Sequence, residues 1–378
     1  MMKRLFFSVL FFPYAALQAT HLFEEYPLLR ERIAHIRLGC FPTPVYRCLN
    51  LEDVLQHQKI FIKCDDMTGP EGLYGGNKVR KLEFLLGDAL HKDAKKIVTF
   101  GCVGSNHAVA TACYSHQLGL ECLLMLTPQP ESLVVCQNLL LDHYFGAHIE
   151  FFANAKERQF ALKKLLHDDN SYYFFPTGGS VCLGVLGYVN AALELKAQVD
   201  QEILPMPDVI YVPVGSCGTL AGLLLGMQMT GMTSRVIAVT VEPVQEHEDC
   251  YTITEKLFND ANQMMHAIDC NIPLYQFPAE QFLINRQFCG NQYGQTTEQG
   301  SEALNLMQRS QNITLEGTYT AKAFAALMND CQMRAIKHDQ VVLFWNTYCG
   351  LDFSHLINTL DYHELPVAAY QYFNTNQM

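Results

Sequence analysis

Paired cysteines, basic runs and nucleotide loops are all missing from this chain. Its fourteen cysteines are scattered through apolar runs and turns with no CxxC spacing. That excludes a disulfide framework or a zinc cluster and leaves reduced, mostly buried thiols, with no metal expected. Charged residues make up only 17%, and the formal net charge of −12 gives no electrostatic footprint for nucleic acid or an anionic membrane. A small anionic substrate stays compatible, since the local field in a cleft can oppose the global charge. The chain has no P-loop, no GxGxxG, no HExxH, no Ser-His-Asp order and no paired-acid pattern. Nucleotide binding ranks low on that count, and hydrolase or metalloprotease chemistry has no support. Beyond the N-terminus, every apolar run is punctuated by Gly or Pro before it could cross a bilayer.

Hydrophobic residues reach 49% of 378, enough for two lobes with buried cores and too apolar for disorder. Residues 1–19 carry Lys3 and Arg4, then an apolar run, then small residues near Ala19. This is the layout of a secretory signal, too short and wrongly flanked for a membrane span. The cysteine load pulls towards a reducing, cytoplasmic compartment, with export through this segment as the alternative.

Strand-like runs alternate with helical patterns, the mark of an α/β protein. Strands are expected at 60–63, 97–100, 122–126, 149–152, 172–175, 209–214, 236–241 and 341–345. Helices are expected at 78–90, 107–118, 131–144, 219–229, 297–307 and 320–328, with a long irregular or mixed region after 241. The polar stretch 156–170 reads as a helix or surface connector without a functional role. Continuously apolar strands joined by helices imply mainly parallel sheets covered on both faces. Two such sheets with a cleft between them fit the length better than one.

Three turns carry candidate chemistry. Gly215, Ser216, Cys217, Gly218 and Thr219 follow an apolar strand and open a helix, so amides and hydroxyls can converge on a phosphate there. A plain strand-to-helix turn explains two glycines equally well. Gly75, Gly76, Asn77 and Lys78 place an amine at a helix start, where the helix dipole disfavours its protonated form. A solvated lysine beside Arg80 and Lys81 is the bland reading. Gly104, Ser105, Asn106 and His107 repeat the strand–turn–helix grammar with donors suited to a carboxylate, or to a simple N-cap.

Taken together these segments resemble fold-type II pyridoxal-phosphate enzymes, in the group of D-cysteine desulfhydrase and 1-aminocyclopropane-1-carboxylate (ACC) deaminase. The resemblance runs through LGCFPTPVYR (38–47), IKCDD (62–66), GGNKVRKLEFLLGDAL (75–90) and SNHAVATACYSHQLGL (105–120). It continues in PTGGSVCLGVLGYVNAALE (176–194), VGSCGTLAGL (214–223), QYGQ (292–295), GTYTAKA (317–323) and LFWNT (343–347). It implies a two-domain, tryptophan synthase β-like α/β fold with twisted, mainly parallel sheets flanked by helices. The smaller domain would cover 75–188, and the larger would join 20–74 to 189–378.

The resemblance also implies a set of roles. Pyridoxal 5′-phosphate would form a Schiff base with Lys78. Its phosphate would lie on Gly215, Ser216, Cys217, Gly218 and Thr219, its ring hydroxyl on Asn106 and its ring nitrogen on Thr347. Ser105, Asn106 and His107 would hold the substrate carboxylate, and Tyr293 and Tyr319 would face the substrate. Ser105 and the tyrosines would assist Lys78 in proton transfer, and the protein would be a homodimer acting on a small amino acid.

Departures from the family pattern are Cys64 for Arg, Gly104 for Gln, Gly317 for Pro, Ala321 for Gly, and Asn346 with Tyr348 in place of the HTGG turn. The last leaves a catalytically silent, small-molecule-binding homologue as an alternative. ACC deaminases typically carry Glu in a YEGK segment and Leu before the terminal glycines; the desulfhydrases more often have threonines at both positions. Here Tyr319, Thr320, Ala321, Lys322 and then Asn346, Thr347 follow the desulfhydrase pattern. D-cysteine is therefore the expected substrate, with ACC or D-serine as the alternatives.

Overall fold

The computed structural model describes residues 20–243 and 249–373; the signal-like segment 1–19 lies outside them. Among the described residues, ten strands form two sheets. The smaller is wholly parallel, in the order β5 (His148–Phe151), β4 (Glu121–Thr127), β3 (Lys96–Cys102), β6 (Tyr172–Phe175). Its register sets Val98 opposite Leu123 and Phe174. The larger runs β1 (Val45–Arg47), β2 (Ile60–Cys64), β10 (Val342–Asn346), β7 (Val209–Val214), β8 (Arg235–Thr240), β9 (Phe282–Asn285). All its pairings are parallel except β1 with β2. Strands β2, β7 and β10 are buried along their whole length, as parallel strands covered on both faces must be.

Each sheet is a layer between helices. The Cys182–Asp200 and Gly218–Thr230 helices cover one face of the larger sheet, and the Thr320–Gln332 helix covers the other. The Asn106–Gln117 and Leu133–Tyr144 helices back the smaller sheet, with the Ala155–Asp168 helix opposite. The C-terminal residues Cys349, Phe353, Leu365, Ala369, Tyr372 and Phe373 pack into the core of the smaller sheet. Among the described residues no helix is long and apolar enough to cross a membrane.

All eight expected strands are present, with ends shifted by at most two residues. Two more, β1 and β9, were not anticipated: they are short edge strands with too few residues to show a period. The helix Cys182–Asp200 was also missed as an element, because it is apolar on nearly every side and gives no amphipathic signal. Its partner helix lies close enough that a Cβ on Gly222 would come within 2.5 Å of the Tyr188 Cβ, and one on Gly226 within 2.6 Å of the Ala192 Cβ. The region after 241, read as irregular or mixed, holds the nineteen-residue Cys250–Ile268 helix.

A buried charge network joins these layers. Arg80 donates to Asp65 at 3.0 and 2.7 Å and to both oxygens of Glu194 at 3.0 Å. Lys63 Nζ reaches Glu194 Oε1 at 2.5 Å and Gln198 Oε1 at 2.8 Å, and Tyr188 donates to Asp65 at 2.6 Å. The network pins the start of the Lys78–His91 helix to β2 and to the Cys182–Asp200 helix.

Candidate active site

Strands β3, β7 and β10 release their C-terminal turns into one cleft of about 740 Å³, the place where parallel sheets expose loops and helix starts. Its walls include Lys78, Ser105, Asn106, His107, Gly215, Ser216, Cys217, Thr219, Tyr293, Tyr319 and Thr347. Of the site residues expected from the sequence, Gly218 alone is not on the wall. It turns towards Ser180 and Lys81, and its amide is already engaged by Ser216 O at 2.8 Å and Ser180 Oγ at 3.2 Å.

Lys78 begins its helix immediately after the Gly76–Asn77 turn, and the Gly76 φ of +89° suits only glycine. A Cβ on Gly76 would also fall 2.9 Å from Thr347 O. Asn77 ties the neighbourhood together: its amide donates to Thr347 O at 3.0 Å and its side chain to Thr219 Oγ1 at 3.1 Å. Burial lowers the Lys78 amine to about 8, so roughly a tenth is unprotonated and nucleophilic at pH 7, far more than for an ordinary lysine. Lys81 is pushed further down by burial and by Lys78, but it is occupied with Gly178 O at 3.1 Å and Ser180 Oγ at 3.3 Å.

Ser105 does cap its helix, accepting from Ala108 N at 3.2 Å, and still lines the cleft. Asn138 Nδ2 donates both to Gly104 O at 2.9 Å and to Asn106 Oδ1 at 3.1 Å. Tyr74 OH bonds the same Asn106 oxygen at 3.0 Å. The Asn106 amide is thereby fixed as the donor available to a ligand. His107 is buried, with neither ring nitrogen partnered. Burial, reinforced by Lys78 and Lys81, keeps it neutral.

Opposite, Tyr293 and Tyr319 share a hydroxyl–hydroxyl bond of 2.7 Å, and Tyr319 lies 3.1 Å from where a Gly215 Cβ would be. Burial raises both phenols, which stay protonated and can only donate a proton, not remove one. Glu316, also on the wall, is engaged with the amides of Thr318, Tyr319 and Thr320 at 2.8, 2.5 and 3.0 Å.

Several residues on or behind this wall were not anticipated as functional. Gly178 has φ +65°, and a Cβ there would stand 2.1 Å from Ser216 Oγ and 3.6 Å from Lys78 Nζ. Ser180 bonds Ser216 at 2.8 Å. Both lie in TGGS after β6, the same strand–turn–helix grammar as the other turns. Arg158 reaches the cleft from the stretch read as a surface connector, donating to Gly101 O at 3.1 Å. Its signal is weak, one cation among several on a polar helix.

The residues present suit a flat, phosphate-bearing aldehyde cofactor. Glycines stand where side chains would fill the cleft, a hydroxyl-rich helix start faces the amine, and a neutral histidine has two open nitrogens. Two mainly parallel sheets meeting at their carboxyl ends around the low-pKa amine of Lys78 is the layout of fold-type II pyridoxal-phosphate enzymes. The chain belongs to the pyridoxal-phosphate dependent enzyme family, whose model matches residues 36–347.

It is 33% identical to the D-cysteine desulfhydrase of Serratia proteamaculans over 315 residues, 81% of this chain and 90% of that protein. The D-cysteine desulfhydrase of Yersinia enterocolitica matches over 314 residues at the same identity, again 81% of this chain and 90% of that protein. A crystal structure of an ACC deaminase homologue superposes with a TM-score of 0.72 at 26% identity, covering 91% of this chain and 99% of that one. A fungal L-serine ammonia-lyase from Rhizomucor miehei shares the fold at a TM-score of 0.56 and 18% identity, covering 86% of this chain and 98% of that one. Membership of the family implies pyridoxal 5′-phosphate as cofactor.

Proposed function

We propose that the protein is a D-cysteine desulfhydrase, which converts D-cysteine and water to pyruvate, ammonia and hydrogen sulfide by β-elimination. The observation that carries this reading is Thr347, which follows β10 and lines the cleft; by the resemblance it would be the partner of the cofactor's ring nitrogen. A hydroxyl cannot stabilise a ring proton as a carboxylate does. The weaker electron sink that results suffices for a β-thiol leaving group and is poor for opening an unactivated cyclopropane.

Bound pyridoxal 5′-phosphate supplies the sink for the electron pair left at the substrate's Cα. Lys78 binds the cofactor and is the first candidate to take the Cα proton, since its amine is neutral often enough to act as a base. Ser105, Asn106 and His107 hold the substrate carboxylate at a helix N-terminus, with the Asn106 amide also reaching the ring hydroxyl. The free amides of the 215–219 turn, with Ser216 and Thr219, hold the phosphate. Tyr319, polarised by Tyr293, protonates the departing sulfur.

The test is an assay of sulfide and pyruvate with cofactor and D-cysteine, D-serine, L-cysteine or ACC. D-cysteine should be turned over much faster than ACC. Asn346 and Tyr348, which replace residues of the family's turn around Thr347, motivate one rival, a silent binding protein. Cofactor binding without turnover of any of the four would select that rival.

We further propose that residues 75–188 act as the smaller domain against the remainder, that the protein works as a homodimer, and that it is cytoplasmic. All fourteen cysteines are free, as a reducing compartment would keep them.

A further inference from the structure

The Cys217 thiol has no part in the proposed chemistry, which uses only the backbone of its turn. Cys217 sits in the middle of the 215–219 turn at φ +62°, a left-handed conformation that favours glycine and strains other residues. Its Sγ lies 3.4 Å from Gly215 O and meets a second thiol: Cys217 Sγ stands 3.3 Å from Cys250 Sγ. Cys250 opens the Cys250–Ile268 helix, and Thr254 Oγ1 lies 4.0 Å from its sulfur. Cys217 is buried and Cys250 half-buried, so the pair is reached from the cleft or along the helix start.

We propose that Cys217 and Cys250 form a reversible redox site, closed to a disulfide by hydrogen peroxide, that controls how the 215–219 turn holds the cofactor phosphate. The coupling to the cofactor rests on the function proposed above; the disulfide does not. Cys250 is the attacking sulfur, because the Cys217 thiol donates to it and a helix start favours its thiolate. The Cys250 thiolate attacks one peroxide oxygen, the O–O bond breaks, and the expelled hydroxide takes a proton to leave as water. Cys250 is then a sulfenic acid. The Cys217 sulfur attacks the Cys250 sulfur, the S–O bond breaks, and the thiol proton leaves with the hydroxyl as a second water. Two electrons pass from the two sulfurs to peroxide, and a dithiol reverses the change.

Closing 3.3 Å to a covalent bond of about 2.05 Å draws Cys217 towards the Cys250 helix and turns its amide from the phosphate. The loss is about tenfold in cofactor affinity, the scale of one hydrogen bond to a charged group.

The experiment treats full-length protein, with and without cofactor, with hydrogen peroxide and maps alkylated peptides by mass. A peptide pair joined through Cys217 and Cys250, lighter by two hydrogens and restored by dithiothreitol, is the expected result; the pair should be absent from Cys250→Ser. Both thiols still alkylating after peroxide, or Cys250 ending as a sulfinic acid with Cys217 untouched, would overturn the site. Cofactor titration by fluorescence then tests the coupling: affinity should fall in oxidised wild type but not in peroxide-treated Cys250→Ser, which cannot form the disulfide and leaves the 215–219 turn unchanged. Equal affinity of oxidised and reduced wild type overturns the coupling. Wild type that binds no cofactor in either state sinks the functional reading, while the peptide map still decides the disulfide.

Discussion

The side-chain amide of Asn77 donates to the hydroxyl of Thr219 at 3.1 Å, while the Asn77 backbone N–H donates to Thr347 O at 3.0 Å. One residue, beside Lys78, thus fixes the 215–219 turn to the turn after β10, the two turns proposed to hold the cofactor's phosphate and ring nitrogen. Asn77→Ala removes the first bond and leaves the second. It should weaken cofactor binding by about 1 kcal/mol, several-fold in affinity, with little change in the fold. Spectral titration of the apoprotein checks this, and unchanged affinity would show that the turn is held without Asn77.

The Lys78 amine gives a pH dependence. Burial lowers it to about 8 from its ordinary value, so the folded protein releases the proton earlier than the unfolded chain does. Cofactor addition needs the neutral amine, so loading of apoprotein should rise with pH through about 8. The same shift makes burial of the amine destabilising below that pH, a penalty relieved as pH rises towards the unfolded value. Lys78→Ala should abolish the cofactor's absorbance near the visible edge at every pH. A mutant that keeps that band would remove Lys78 from its role.

Arg80 tests the frame beneath the site. Burial alone would raise the Glu194 carboxyl, but Arg80 and Lys63 override it and hold it below the usual carboxylate range. Arg80→Ala leaves Asp65 and Glu194 buried without their cation and should cost about 3–5 kcal/mol in urea unfolding. Because the Glu194 pKa is depressed when folded, its contribution is present above the unfolded pKa and lost as pH falls through the folded one. The mutant should therefore lose much of the wild type's acid sensitivity.

Asn346 bears on the silent alternative and on stability together. Asn346 is fully buried and its side chain hydrogen-bonds the buried Asp66 carboxyl, so Asn346→Leu leaves that carboxyl without a donor and should lower stability by about 1–3 kcal/mol. Thermal unfolding of the apoprotein reads this. Unchanged or higher stability would show that the Asn346 amide contributes nothing to holding Asp66.

Much of this was legible in the residues. Strand runs such as VIYVPV fell where β7 stands, because parallel strands buried on both faces are continuously apolar. Lys78, Asn106 and Tyr319 arrived in one cleft because each sits at a turn after a strand or at a helix start. What escaped was long-range. The Cys182–Asp200 helix shows no period, since it is wrapped on all sides. Arg158 and Glu316 owe their place on the wall to packing between distant segments, which no local pattern encodes. Gly218 fell out of the cleft because its amide had found Ser180, thirty-eight residues away.

The tyrosine pair gives a sharper chemical test. Tyr319→Phe removes the phenol proton placed against Gly215 and should lower turnover by roughly 10²–10⁴, the usual weight of a positioned acid, with cofactor binding retained. Tyr293→Phe should act in the same direction but less, since it only polarises Tyr319. If both leave kcat unchanged, neither takes part.

The central claim is tested most directly by kcat/KM for D-cysteine and for ACC, measured on one preparation of cofactor-loaded protein with sulfide and pyruvate both quantified. The account predicts equal yields of sulfide and pyruvate from D-cysteine, a much higher kcat/KM than for ACC, and no activity in Lys78→Ala. A kcat/KM for ACC equal to or above that for D-cysteine would contradict it.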